Sequence, residues 1–279
     1  MDRHCDKPSE KNFSKIFDKP LDKIQKMCYN RYIKRGKRGY APPMNKIDHR
    51  HKYGIMLDTE TANTIMEEDG KLNMRYVLPY DIGFAIIDSH ARIYETHSFI
   101  NSDIFLKEKE LMQSAYYKAK IPQYWREIWE GKRKVADTYT IRKFILDKIQ
   151  EYNIQFVCAH NARFDHTAMN NIIRWTTKSK YRYFFPHGIE FWDTLRMANQ
   201  VVAKTPTYVK FCQDNGYMTN HKTPRPQTTA EILYRYITKN NQFNEAHTGL
   251  EDVLIEVKIL EYCVRKKKKM EKRLYPPKV

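Results

Sequence analysis

The chain has 279 residues, 41% of them hydrophobic and 13% aromatic, so a sizeable core is expected despite a mean hydropathy of −0.76. It shows no membrane-length apolar run, no secretory-type leader and no paired cysteine spacing, which excludes a membrane partner and a disulfide framework and favours a cytoplasmic protein. The net charge of +17 favours a polyanionic partner such as nucleic acid. AT-rich coding, as in a phage or a low-GC bacterium, also enriches Lys.

Both ends of the chain are basic and differ from its middle. Residues 1–52 contain the dense run RYIKRGKRGYAPPMNK (31–46) and few apolar residues. We interpret them as an N-terminal extension that holds nucleic acid or a protein partner, with a solvated tail as the alternative. Residues 266–279 form a basic C-terminal tail, either solvated or in contact with DNA. The predicted domain between them covers residues 53–265.

The first half of this domain is predicted to be mainly strand. The run YGIMLDT (53–59) is apolar and typical of a central strand buried on both faces. After a polar loop, YDIGFAIID (80–88) and RIYETHSFI (92–100) are spaced as an antiparallel hairpin or meander. The charged and aromatic residues 103–131 are predicted to be helical.

Helices and short strands alternate in the second half. Apolar spacing predicts a helix over 138–152, followed by a buried strand FVCAH (156–160), a second helix, and a strand IEFWDT (189–194). Helix and loop are predicted for the rest. The order indicates an α/β chain with a mixed sheet, whose later strands pair in parallel through right-handed crossovers.

Two acids close the first strand. Asp58 and Glu60 are two residues apart, so a strand places both side chains on one face, at its carboxyl end. Burying paired carboxylates is costly unless a cation compensates them. The alternative is a strand that simply ends at the surface.

A third acid, Asp165, follows the strand FVCAH. Asn161 is a suitable N-cap for a helix beginning near Ala162, which places Asp165 one turn into that helix. Taken alone, Asp165 is better explained as an acid that stabilises a helix N-terminus.

The segment HTGLED (247–252) predicts a helix start. Thr248 and Glu251 fit a capping box, with Thr248 as the N-cap. Asp252 then lies one turn inside the helix, and His247 lies on the loop just before it. A surface loop histidine is the alternative for His247.

Together the three segments resemble the DEDDh family of 3'–5' exonucleases, the DnaQ-like group. That family carries Asp-x-Glu on its first strand, an Asp after a later strand, and a His shortly before a final Asp. Here the matching residues are Asp58, Glu60, Asp165, His247 and Asp252, in the family's order.

The resemblance covers roughly residues 53–265, and FWDTL (191–195) resembles a further segment common in the family. It implies an RNase H-like fold, with a five-stranded mixed β-sheet flanked by α-helices. It also implies a metal-dependent 3'–5' exonuclease that releases nucleoside monophosphates from the 3' end of DNA, single-stranded by preference.

The resemblance also implies residue roles. Two Mg²⁺ or Mn²⁺ ions would be held by Asp58, Glu60, Asp165 and Asp252, and His247 would be the general base. The terminal nucleotide would meet a second set of residues. These are Thr59, Thr61, Ala62, Asn161 and Phe164. For Phe164, core packing is the favoured alternative.

Two other segments carry cations near aromatic or polar residues. KSKYRYFFPHG (178–188) suits stacking on a single strand, unless its two phenylalanines are core residues. HKTPRPQTT (221–229) is a basic loop expected near the site entrance.

Two other functions stay open at this stage. One is an RNA 3'-trimming exoribonuclease, because contacts to the 2'-OH separate RNA from DNA and cannot be located in the sequence. The other is a non-catalytic nucleic-acid-binding or polymerase-accessory module. The expected partners are therefore a nucleic acid 3' end and a polymerase or another replication or repair protein.

Overall fold

The computed structural model describes residues 47–48, 50–68 and 70–276. Almost all of the predicted N-terminal extension lies outside these residues. The described residues divide into two compact units, one drawn from residues 47–118 and 136–276 and the other formed by Ala119–Val135. The predicted site residues all belong to the first unit.

The described residues contain six strands and nine α-helices. The strands are β1 Tyr53–Ala62, β2 Leu78–Asp88, β3 Ile93–Asn101, β4 Lys134–Ala136, β5 Phe156–Ala159 and β6 Glu190–Asp193. The helices are α1 Ser102–Phe105, α2 Lys109–Gln113, α3 Ile121–Glu130, α4 Thr138–Tyr152, α5 Ala162–Thr177, α6 Thr194–Val201, α7 Pro206–Asp214, α8 Ala230–Thr238 and α9 Gly249–Arg265. Residues 103–131, predicted to be helical, form short helices with breaks between them.

The strands form one mixed sheet in the order β4-β3-β2-β1-β5-β6. The β1–β2 and β2–β3 pairs are antiparallel, while β1–β5 and β5–β6 are parallel. The predicted α/β architecture is confirmed, and the arrangement agrees with an RNase H-like fold. The sheet has six strands rather than five, because the three-residue β4 lies in a charged stretch with too few apolar residues to predict a strand.

Helices cover the sheet, as the continuous burial of β2 requires. One core cluster packs β1, β2, β5 and β6 residues against helices α6 to α9. The first turn of α9 approaches β2 very closely. A Cβ on Gly83 would overlap the backbone of Gly249, so only glycine fits there. The Gly249 N–H also donates to Asp81 Oδ2 at 2.9 Å. Two glycines and one buried carboxylate thus fix the first turn of α9 over β1 and β2.

The C-terminal residues continue beyond α9 and return to the sheet. The Asp193 N–H donates to the Lys272 carbonyl at 2.8 Å, and the Leu274 N–H donates to the Phe191 carbonyl at 2.7 Å. The Lys272 ammonium lies 4.6 Å from the Trp192 ring centroid. The solvated-tail interpretation is therefore wrong for residues 272–274, which pair along β6. No described helix is long and apolar enough to cross a membrane.

Candidate metal and nucleic-acid site

Acidic side chains line a cavity at the end of the sheet where β1 extends beyond its pairing with β5. Parallel pairing with β5 covers only Gly54–Met56 of β1, and β1 then continues to Ala62. From β1 the chain turns to β2 on one side and later reaches β5 on the other side. Ligands bind outside the carboxyl ends of strands at such a switch point.

The cavity has a volume of about 960 Å³. Its walls come from β1, from the segments before α5, α8 and α9, and from α9 itself. Five of the lining side chains are carboxylates, namely Asp58, Glu60, Glu245, Asp252 and Glu256. Among the described lining residues, Arg225 is the only lysine or arginine. The wall is therefore acidic although the chain as a whole is basic.

Three of these carboxylates converge. The ligand oxygens of Asp58, Glu60 and Asp252 all lie within 4.8 Å of one another. The strand period places the first two on one face of β1, and the Gly83–Gly249 contact brings the first turn of α9 above them. The structure thus brings these three acids together, and their role as metal ligands stays a prediction.

Asp165 lies behind this group and does not line the cavity. Its carboxylate is buried and accepts a hydrogen bond from Thr59 Oγ1 at 2.9 Å, which ties α5 to β1 between the two other acids. It belongs to the first turn of α5, as predicted. Asn161 precedes that helix but does not cap it, because its backbone is left-handed (φ 65°) and its side chain makes no capping hydrogen bond. The Asn161 N–H instead lies 3.2 Å from Asp193 Oδ1.

Burial and mutual repulsion dominate the electrostatics. Burial raises the pKa of Asp58 well above its usual range, and repulsion from Glu256, Asp165, Glu60 and Asp252 raises it further. Burial and Asp81 raise the pKa of Glu60 to about 9.

The other two acids are shifted in the same direction. Burial and Glu245 raise the pKa of Asp252 to about 8. Burial raises that of Asp165 to about 7, against the opposing effect of the Thr59 hydrogen bond. Each of these carboxylates therefore lacks the compensation that its ionised form requires.

The acids have the properties of a divalent-cation site. Asp58 Oδ2 and Asp252 Oδ1 are buried and have no hydrogen-bond partner. Buried charges are ordinarily paired or bound to metal. The donors are all carboxylate oxygens, which hard cations such as Mg²⁺ and Mn²⁺ prefer. The residues present thus fit a divalent metal ion.

His247 lies at the rim of this group with its side chain about one-third exposed. Its ring stacks on Tyr117 with centroids 4.4 Å apart and planes 11° apart, and its Nδ1 lies 3.8 Å from Glu245 Oε2. Its backbone is left-handed, with φ 49°, which costs a residue with a Cβ about 1 kcal/mol. The histidine is thus held at the mouth of the cavity, at a strained position just before α9.

The predicted capping box at the start of α9 is wrong in its details. Thr248 occupies the N-cap position, but its side chain makes no capping hydrogen bond to the backbone. The Thr248 hydroxyl donates to Glu251 at 2.7 Å, and the Thr248 N–H donates to Asp252 Oδ2 at 3.1 Å. Asp252 therefore accepts the backbone hydrogen bond that Glu251 would accept in a capping box. This bond from the Thr248 N–H fixes the position of the Asp252 carboxylate.

Four of the five residues predicted to meet a nucleotide line the cavity. They are Thr59, Thr61, Asn161 and Phe164. Ala62 is fully buried and is not on the wall. Phe164 is only partly buried, so the favoured core-packing interpretation does not describe it.

The two basic segments have different outcomes. The loop 221–229 reaches the cavity with His221 and residues 225–229, as expected. In the segment 178–188, Phe184 and Phe185 are buried, which confirms the core alternative for them. Tyr181 and Tyr183 of the same segment are exposed.

Sequence reasoning missed several wall residues. Glu256 lies four residues after Asp252 on the same face of α9, and Glu245 lies two residues before His247. The i, i+4 spacing of two acids on an otherwise apolar helix face was the available signal for Glu256. Tyr117 and His160 also line the cavity and carried no signal in the sequence.

No protein-family model and no curated protein matches the chain. Several solved structures are similar to it. They include exonuclease I from Methylocaldum szegediense, at 16% identity and TM-score 0.48. E. coli exonuclease I is similar in complexes with a 5cy-dT13 oligonucleotide (14%, TM-score 0.48) and with a dA16 oligonucleotide (15%, TM-score 0.45). These matches cover 77–78% of this chain, which spans 41% of each of those chains.

Proposed function

We propose that this protein is a metal-dependent 3'–5' exonuclease that releases nucleoside monophosphates from single-stranded DNA. The observation that carries the proposal is the convergence of Asp58, Glu60 and Asp252 within 4.8 Å, with buried oxygens that lack partners. These are also residues through which the sequence resembles the DEDDh exonucleases. The proposal includes membership of that family.

The four acids would hold the metal ions. Asp58 would be a ligand of both ions. Glu60 and Asp252 would complete the ligands of one ion, and Asp165, fixed by Thr59, would hold the other partly through water. When bound, divalent ions activate the attacking water and stabilise the leaving 3'-oxygen of a phosphodiester.

His247 would accept the proton of the attacking water. Its partial exposure and its position at the cavity mouth suit a base that contacts only bound substrate. Neutral imidazole accepts protons near physiological pH. In the structure the ring is held by Tyr117, so turning it toward the acids would break that stacking contact.

The cavity wall provides contacts for a terminal nucleotide. Thr59 and Thr61 lie on β1 beside the acids, and Phe164 offers a partly exposed ring for stacking against a base. Arg225 is available to a phosphate. The net charge of +17 would attract the rest of a polyanionic strand.

The direct test is degradation of end-labelled strands with Mg²⁺. We expect 5'-labelled single-stranded DNA to give a stepwise ladder shortened from the 3' end, and 3'-labelled DNA to give labelled mononucleotide at once. Asp252→Asn should abolish both results. Glu251→Gln, on the same helix but exposed, should leave both unchanged.

Three outcomes would revise the proposal. Internal cleavage products would contradict exonuclease action, and a matched RNA strand degraded faster than DNA would reassign the substrate. Binding of DNA without hydrolysis in any divalent metal would favour the non-catalytic binding module.

A further inference from the structure

Glu256 is a buried acid on the cavity wall for which the five-residue motif has no role. It lies on α9, one helical turn after Asp252, and only 3% of its surface is exposed. One side of its carboxylate accepts a hydrogen bond from the backbone N–H of His160. Its Oε2 atom is buried and has no partner.

The surroundings of Glu256 make this unpartnered oxygen costly. Glu256 lines the same cavity as Asp58 and contributes, after burial, to the raised pKa of Asp58. Asp165, Asp252 and Glu245 repel Glu256 in turn. A buried acid among other acids stays ionised only if a cation neutralises the group.

Two other acids of α9 are neither buried nor left with an unpartnered oxygen. Glu251 is exposed and accepts a hydrogen bond from Thr248 Oγ1, and Glu261 is paired with Lys258 and Arg265. Glu256 alone among these three combines full burial, an open oxygen and a position on the cavity wall. Helix solubility or a surface ion pair therefore does not explain it.

We propose that Glu256 is a fifth carboxylate of the metal centre, whose open Oε2 on the cavity wall would accept a hydrogen bond from a water molecule bound to an ion. This inference rests on the proposed function. We infer contact through water because Glu256, like Asp165, lies outside the group of Asp58, Glu60 and Asp252 whose ligand oxygens lie within 4.8 Å of one another. Glu256 is thus a positioning residue that adds negative charge to the centre.

The alternative is a purely structural role, in which Glu256 only anchors α9 to the end of β5 through His160. Glu256→Gln separates the two roles, because the Gln side-chain carbonyl still accepts the His160 N–H while the charge is removed. Glu251→Gln is the matched control, since it makes the same change on the exposed face of the same helix.

The experiment is a titration of the full chain with Mn²⁺ in the absence of nucleic acid, followed by the electron paramagnetic resonance signal of free Mn²⁺. We expect Glu256→Gln to weaken Mn²⁺ binding by about 10-fold or more, as loss of a hydrogen-bonding residue behind the metal ligands typically does. Glu251→Gln should bind as the wild type does.

Thermal unfolding provides the second readout. In EDTA, Glu256→Gln should unfold no earlier than the wild type, while its gain in Tm on adding Mn²⁺ should be smaller. A structural role would instead lower the Tm equally with and without metal. If Glu256→Gln fails to fold, Glu256→Met removes the charge with a side chain of similar size and takes its place.

The outcomes separate this inference from the proposed function. If the wild type binds Mn²⁺ and degrades DNA while Glu256→Gln binds Mn²⁺ with unchanged affinity, the role of Glu256 is overturned and the exonuclease stands. If the wild type binds no Mn²⁺, the metal centre itself is wrong, and the inference falls with it.

Discussion

Glu95 and the acids of the cavity are compensated for their burial in opposite ways. On β3 and α4, Glu95 accepts hydrogen bonds from Lys148 Nζ at 2.9 Å and Tyr152 Oη at 2.6 Å, and His97 Nε2 lies 2.8 Å from it. Burial alone would raise the pKa of Glu95, but these partners lower it below its ordinary value. At the cavity, the pKa of Asp58 is raised by burial and by its acidic neighbours.

The difference separates an acid with a structural role from acids that bind a ligand. Glu95 is compensated by the chain itself, so its cluster serves to hold β3 against α4. The cavity acids are left with open oxygens, so in their ionised form the compensation must come from a ligand. Four predictions follow from this contrast, beginning with the largest expected effect.

Neutralising Asp58 should remove activity without removing stability. Asp58→Asn keeps the shape of the side chain but loses a charge at the centre of the metal ligands, so exonuclease rates should fall on the order of 10⁴-fold. In EDTA the variant should unfold at or above the wild-type temperature, because the amide never carries the charge that burial and the neighbouring acids disfavour. Glu95→Gln is the matched variant in the other cluster. It should keep the wild-type exonuclease rate and unfold at a lower temperature. Equal behaviour of the two variants would break the comparison.

Removing the His247 imidazole should slow turnover while leaving the acids intact. His247→Ala should lower kcat roughly 10²- to 10⁴-fold if the ring is the general base. Mn²⁺ affinity should stay unchanged, since the histidine is not one of the proposed ligands. His187→Ala, an exposed loop substitution, is the control. A parallel loss of Mn²⁺ binding would mean that His247 acts as a ligand instead.

Removing the cation of the other cluster should cost stability alone. Lys148→Met leaves Glu95 partly buried without its ammonium partner, which should lower the free energy of unfolding by about 1–3 kcal/mol in urea denaturation. Lys143→Met, which disrupts the exposed Lys143–Asp147 pair, should change it by less than about 0.5 kcal/mol. Lys148 does not line the cavity, so exonuclease activity should persist in both variants.

The last prediction concerns pH. In EDTA the folded pKa values of Asp165, Asp252 and Glu60 are about 7, 8 and 9, above those of the unfolded chain. Between about pH 4 and pH 9 the folded state therefore binds more protons, and stability falls as pH rises. Each kcal/mol lost lowers the Tm by about 2–4 °C. Saturating Mg²⁺ should flatten this slope, whereas a Tm in EDTA that rises from pH 5 to pH 9 would contradict the raised pKa values.

Much of the fold follows from local patterns. Apolar spacing predicts α4, and the period of two predicts that Asp58 and Glu60 share a face. The antiparallel β2–β3 pair and the parallel pairing of β5 and β6 are also confirmed. These features depend on neighbours in sequence or on general rules of chain connection, which a sequence displays directly.

Features that depend on distant neighbours could not be predicted in this way. The left-handed backbone at Asn161 accompanies a bond from its N–H to Asp193, and the pairing of residues 272–274 depends on the free edge of β6. In the sequence Asp81 resembles any acid on a strand, and only the structure shows that it accepts a hydrogen bond from the Gly249 N–H. In each case the partner lies tens to hundreds of residues away.

The sequence alone therefore determined which acids to examine, because the spacing of Asp58 with Glu60 and the helical position of Asp252 are local properties. Only the tertiary structure decided that these carboxylates converge, that Asp165 lies behind them, and that Glu256 joins the same wall. The physical reason is that charge compensation depends on every group within a few ångströms. That environment exists only after the Gly83–Gly249 contact has brought α9 onto the sheet.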